Sequence, residues 1–172
     1  MILKLLMPKR KISVQAYGKL PYTNSFIAVS KSNNALVWQR WLYTQNLTQL
    51  TDEMKPFIFQ ASFRSPLIVG LIAKSCDGSA REFPFSIFVD WKKKWSFKKN
   101  LMNDFMDIWE ELLCIYKQKE IDNLDFDQFY LNLFQSKVII QSKKNKTTAE
   151  NDIMINIVDL YQKKIKRPLF YY

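Results

Sequence analysis

Asp77 and Arg81 are the pair in this sequence best placed to do something specific, a carboxylate and a guanidinium four residues apart across an Asp77-Gly78 turn. At that spacing the two can pair and hydrogen-bond the turn backbone, presenting the strand that follows in a fixed register. Other carboxylates cluster as Asp104 with Asp107, and as Asp122 with Asp125 and Asp127. Carboxylates at helical spacing form a solvated face far more often than an acid–base pair. The chain contains no histidine, so the commonest general base and the commonest nitrogen ligand for a metal are both missing. Cys76 and Cys114 are the only cysteines and lack the paired spacing of a zinc site. With 3 glycines in all, no Gly-rich phosphate loop can be built. No catalytic, cofactor-binding or metal-binding residue is assigned, and the expectation is a protein that binds and does not catalyse.

Composition limits the remaining classes. The chain has 172 residues, of which 48% are hydrophobic, enough for one domain with a real core. Its formal charge of +10 raises the alternative of a basic protein that binds nucleic acid or an anionic surface. The basic residues fall in short clusters at the edges of expected elements, Lys9 to Lys11, Lys92 to Lys99, Lys143 to Lys146 and Lys163 to Arg167, and no nucleic-acid-binding motif accompanies them. The order of Met1 to Lys11, apolar residues first and charges after, is the reverse of a signal peptide, and no apolar run reaches membrane-spanning length. A cytoplasmic protein is expected.

The elements that must position these residues follow from hydrophobic period. Ile12 to Tyr17 reads as a strand ending at Gly18, and Phe26 to Val29 as a second. The polar run Ser30 to Asn34 offers helix caps, and Trp38, Trp41 and Leu42 recur behind it at helical spacing, continuing loosely to Leu50, with the tryptophans in the core. Phe57 to Phe59, Pro66 to Ala73 and Phe83 to Val89 are short apolar runs that suit strands covered on both faces. From Ser96 the pattern is helical, with Leu101, Phe105, Ile108, Trp109, Leu112 and Tyr116 on one face and Asp104, Asp107, Glu110 and Glu111 largely opposite. A further helix is expected over Asp125 to Phe134. A last one should start at the Thr147–Glu150 capping box and end at Pro168. The sum is a single α/β domain over 1–172: a central mixed sheet flanked by helices on both faces, with C-terminal helices.

Two polar turns set in apolar surroundings remain, Gly18-Lys19-Leu20-Pro21 followed by Phe26, and Ser75-Cys76-Asp77 followed by Arg81-Glu82-Phe83-Pro84. In that order they resemble the two signatures of the TagF (ImpM) family of type VI secretion proteins, over roughly Val14 to Phe134. Asn24-Ser25 stands where that family has Gly-Asp, Lys74 where it has proline, and Ala80 where it has glycine. The resemblance implies a post-translational repressor of secretion, acting through the forkhead-associated scaffold protein or another cytoplasmic component of the system. Its site residues would be Gly18, Lys19, Leu20, Pro21, Phe26, Ser75, Asp77, Arg81, Phe83 and Pro84. Two roles are open for them: shaping the turns, or forming part of a partner surface, with Lys19, Asp77 and Arg81 at its edge. The oligomeric state is left open.

Overall fold

The structure, a computed structural model, describes residues 10–20, 25–44, 50–61, 65–75, 82–91, 101–122, 126–140 and 169–170. Ten elements follow in chain order: β1 (Arg10–Lys19), β2 (Phe26–Val29), α1 (Asn33–Thr44), β3 (Lys55–Phe59), β4 (Leu67–Ala73), β5 (Phe85–Trp91), α2 (Leu101–Asp122), α3 (Phe126–Gln135), β6 (Lys137–Ile140) and β7 (Leu169–Phe170). The strands form one sheet in the order β2-β1-β5-β4-β3-β7, with β6 also pairing β1.

Strand periodicity sorts the sheet's two faces. Leu67, Val69 and Leu71 of β4 and Phe85, Ile87, Val89 and Trp91 of β5 pack with Phe105, Ile108 and Leu112 of α2 and Phe129 and Leu133 of α3. Their alternate neighbours, Ile68 and Ile72 of β4 and Phe88 of β5, pack with Ala35, Trp38 and Leu42 of α1. Every residue of β4 and β5 is buried, because helices cover both sides of these strands. The molecule is a three-layer α/β domain, as its apolar runs imply.

The sheet is antiparallel and not mixed: every pairing among the described residues runs antiparallel. Residues 60–66 join β3 to β4 and residues 74–84 join β4 to β5. Both connections are shorter than the dozen or more residues a parallel crossover requires.

Other boundaries also differ from expectation. β5 begins at Phe85, so Phe83 and Pro84 belong to the connection before it. α1 ends at Thr44, and Leu50 is buried outside any helix. Asp104 is buried in the first turn of α2 and not on a solvated face. A carboxylate there is favourably placed against the helix dipole. β6 and β7 have no counterpart in the periodicity reading. The helix expected between Thr147 and Pro168 lies outside the described residues, as do three of the four basic clusters. Among the described residues no helix is long and apolar enough to cross a membrane.

Local chemistry fixes α1 on its face. The Ser32 hydroxyl accepts from the Ala35 amide at 3.1 Å, the geometry of an N-cap. Asn34 donates both to Asp90 Oδ1 and to the Pro66 carbonyl, each at 3.2 Å, tying the first turn to β5 and to the start of β4. Trp38 lies flat on Phe57 with ring centroids 4.4 Å apart. Its indole N–H donates to Ser86 Oγ at 3.1 Å, and that hydroxyl donates to the Tyr17 carbonyl at 3.0 Å. This buried relay joins helix, β5 and β1 beneath one end of the sheet.

Candidate functional site

The two turn signatures meet at that end. β1 finishes at Lys19, and the Leu20 amide donates to the Ser25 carbonyl at 3.0 Å, closing the turn into β2. Gly18 pairs with Phe85 in the register between β1 and β5. Its φ of +124° belongs to a region that L side chains rarely adopt, and a Cβ there would stand 1.9 Å from the Pro84 carbonyl oxygen. Glycine at 18 is therefore required by the neighbouring signature: the Gly-Lys-Leu turn and the Phe-Pro segment touch through backbone.

The second turn is closed by contacts around its base. The Phe83 amide donates to the Ser75 carbonyl at 3.0 Å, and Lys74 Nζ pairs with Glu82 Oε1 at 2.7 Å. That ion pair is partly exposed on both sides, worth about 0–1 kcal/mol, so it orients the loop more than it stabilises the fold. Asp77 and Arg81, expected to tie this loop, and Pro21 lie outside the described residues.

Four aromatic side chains from four segments complete the site. Tyr17 packs edge-on to Phe26 at 5.1 Å and to Phe83 at 5.9 Å, and Phe26 and Phe83 are 5.4 Å apart. Tyr43, at the end of α1, closes the group at 5.2 Å from Phe83 and 6.2 Å from Tyr17. Such pairs contribute about 0.5–1.5 kcal/mol each beyond the area they bury. The cluster is graded: Tyr17 is buried, Phe83 half-buried, and Phe26 and Tyr43 are 44% and 67% exposed. Burial, and then the neighbouring Tyr43 hydroxyl, push the Tyr17 phenol well above its ordinary range, which keeps it neutral.

Position divides the sequence-predicted residues. Lys19, Leu20 and Ser75 are buried, so they shape the turns from within. Phe26 is exposed, and Phe83 and Pro84 are half-buried beside it. Tyr43 is the member that sequence reading missed. It sits on α1 away from the buried Ala35, Trp38 and Leu42, and no period of its own helix marks it out. Among the described residues no group of three potential metal ligands comes together. The arrangement supplies an apolar, partly wet aromatic surface beside a short edge strand, β2, suited to contact with another protein.

No protein-family model and no curated protein matches the chain. Among solved structures it is similar to the crystal structure of PA0076 from Pseudomonas aeruginosa PAO1, at 15% identity and a TM-score of 0.49, over 83% of this chain and 76% of that one. At that level the likeness carries nothing about function.

Proposed function

We propose that this protein is a TagF-type accessory factor of a type VI secretion system, a cytoplasmic repressor that acts by binding another component and not by catalysis. What supports the reading is the union of the two signatures. Segments far apart in sequence contribute Tyr17, Phe26 and Phe83 to one aromatic group, and Gly18 lies against the Pro84 backbone. The pairing of β1 with β2 and β5 brings these segments together, and their meeting leaves a half-exposed apolar surface that suits a partner. Phe26 and Tyr43 are its accessible members and the natural contacts for a partner. A forkhead-associated scaffold protein of the secretion system is the partner this reading names first.

The test is overproduction in a host that carries such a system, with the secreted tube protein measured in the culture supernatant. Wild-type protein suppresses secretion and co-purifies with a component of the apparatus. The double variant Phe26→Ser, Tyr43→Ser changes two exposed side chains, stays folded and loses both effects. Unchanged secretion under verified overproduction overturns the proposal.

A further inference from the structure

β2 is one edge of the sheet, and its sequence, Phe26-Ile27-Ala28-Val29, carries neither charge nor proline. Folded proteins commonly blunt such an edge with lysine, with proline or with a covering segment. Elsewhere in this sheet those devices are present. β7 pairs along β3 at the far side, and β6, on the first half of β1, bears the exposed Lys137.

The direction of the β2 backbone follows from its register. The Leu20 amide donates to the Ser25 carbonyl, and pairing continues with Lys19 opposite Phe26, Gly18 opposite Ile27, Tyr17 opposite Ala28 and Ala16 opposite Val29. In an antiparallel ladder, hydrogen-bonded pairs alternate with pairs whose backbone groups point away from each other. Ile27 and Val29 therefore bond to β1, while the N–H and C=O groups of Phe26 and Ala28 point outward. The Tyr17 carbonyl agrees, being turned away from Ala28 to accept from Ser86 of β5. Among the described residues, the Phe26 and Ala28 backbones have no hydrogen-bond partner. The same two residues carry the exposed side chains of the strand, the Phe26 ring at 44%, whereas Ile27 and Val29 are buried.

Two donors and two acceptors, alternating along an extended edge, match the backbone of another strand. The pattern is also its own complement. With a second copy antiparallel and a two-fold axis at Ile27, each Phe26 lies opposite the other copy's Ala28, and every outward donor meets an acceptor. An axis at Phe26 or at Ala28 matches only one of the two residues within β2, and an axis between residues sets outward groups against inward ones. Directly opposite residues share a face, so each large Phe26 ring lies beside a small Ala28. The geometry points to β2 as a self-pairing edge, to which a second copy of this chain adds antiparallel, Phe26 opposite Ala28, in a two-fold dimer with one continuous sheet. This rests on backbone direction and register and is independent of the secretion reading. Where both hold, pairing covers Phe26, so dimer and partner compete for it.

Sedimentation velocity of the full chain tests this at 0.15 M salt, where the net charge of +10 is screened beyond about 8 Å. An interface this small gives a reversible dimer, so the sedimentation coefficient should rise between about 10 μM and 1 mM. Ala28→Pro removes an outward N–H that β1 does not use, and Ala28→Lys adds the charge that edges ordinarily carry; each should weaken association by about tenfold or more. Val37→Lys, on the exposed side of α1, should leave it unchanged. Circular dichroism verifies folding of the variants. Amide exchange of the wild-type protein, followed by NMR, provides a readout that needs no variant. The Phe26 and Ala28 amides should become protected as concentration rises, and those of Ile27 and Val29 should be protected throughout. A monomer at every concentration overturns the proposal. So does a dimer that leaves the Phe26 and Ala28 amides unprotected, or one that folded Ala28→Pro and Ala28→Lys variants form as readily as wild type, because its contact lies on another face.

Discussion

Gly18→Ala tests the central structural statement, that the two turn signatures are in backbone contact. At φ +124° an alanine is strained, and its Cβ would lie 1.9 Å from the Pro84 oxygen and 2.9 Å from Phe85 Cα. Holding a non-glycine residue in such a conformation costs about 1–3 kcal/mol. Forcing an atom against packed neighbours costs about another 1–3 kcal/mol, and here the neighbour is backbone, which cannot rotate away. Their sum, about 2–6 kcal/mol, is a large share of the roughly 5–15 kcal/mol that holds a domain folded. With a urea dependence of about 2 kcal/mol per molar, the unfolding midpoint should fall by about 1–3 M. Equilibrium urea unfolding followed by tryptophan fluorescence measures this directly. Because Phe83 adjoins this contact, a variant that remains folded should also lose the partner binding proposed for the aromatic cluster. A midpoint within about 0.3 M of wild type would refute the argument, for Pro84 would then have room to withdraw.

Two further predictions follow from the buried relay and the cluster above it. Trp38→Phe removes the indole donor to Ser86, which keeps its own bond to the Tyr17 carbonyl, and leaves a smaller ring over Phe57. A loss of about 2 kcal/mol, read as a melting temperature about 4–8 °C lower, is expected; an unchanged melt would show that the relay carries no stability. Tyr17 contributes to the alkaline limit. Its phenol is held above the ordinary value of 10.0 in the folded state, chiefly by burial, so the unfolded chain gives up that proton first. The associated stability is complete below pH 10.0 and declines as pH rises beyond it, at up to about 1.4 kcal/mol per pH unit. Melting curves between neutral pH and strong alkali should therefore fall less steeply for Tyr17→Phe than for wild type, and parallel curves would reject the assignment.

The three-layer α/β class was legible because it depends on local period. Leu67 to Ala73 is apolar at consecutive positions and Ile87 to Val89 repeats this in the next strand, which suits strands covered on both faces, and α2 shows its stripe in Phe105, Ile108 and Leu112. Pairing direction was not legible, since it is set by which strands become neighbours and by the length of chain between them. β6, with four residues of which only Val138 is described as buried, is too short for its period to register and exists because β1 offers an edge to pair with.

The turn signatures divide in the same way. Sequence alone marked Gly18 and Phe83-Pro84 as unusual, because glycine and proline restrict or free the backbone by their own covalent structure. Only tertiary structure decided that the two are one feature. The register of β1 against β5 brings Gly18 to Phe85, and that alignment seats Phe83 against Tyr17, Phe26 and Tyr43. It likewise buried Lys19 and Ser75 while leaving Phe26 open, and set Lys31 of one loop over Phe134 of a distant helix. Local propensity depends on a residue and its near neighbours, whereas exposure and pairing depend on what the remainder of the chain brings alongside.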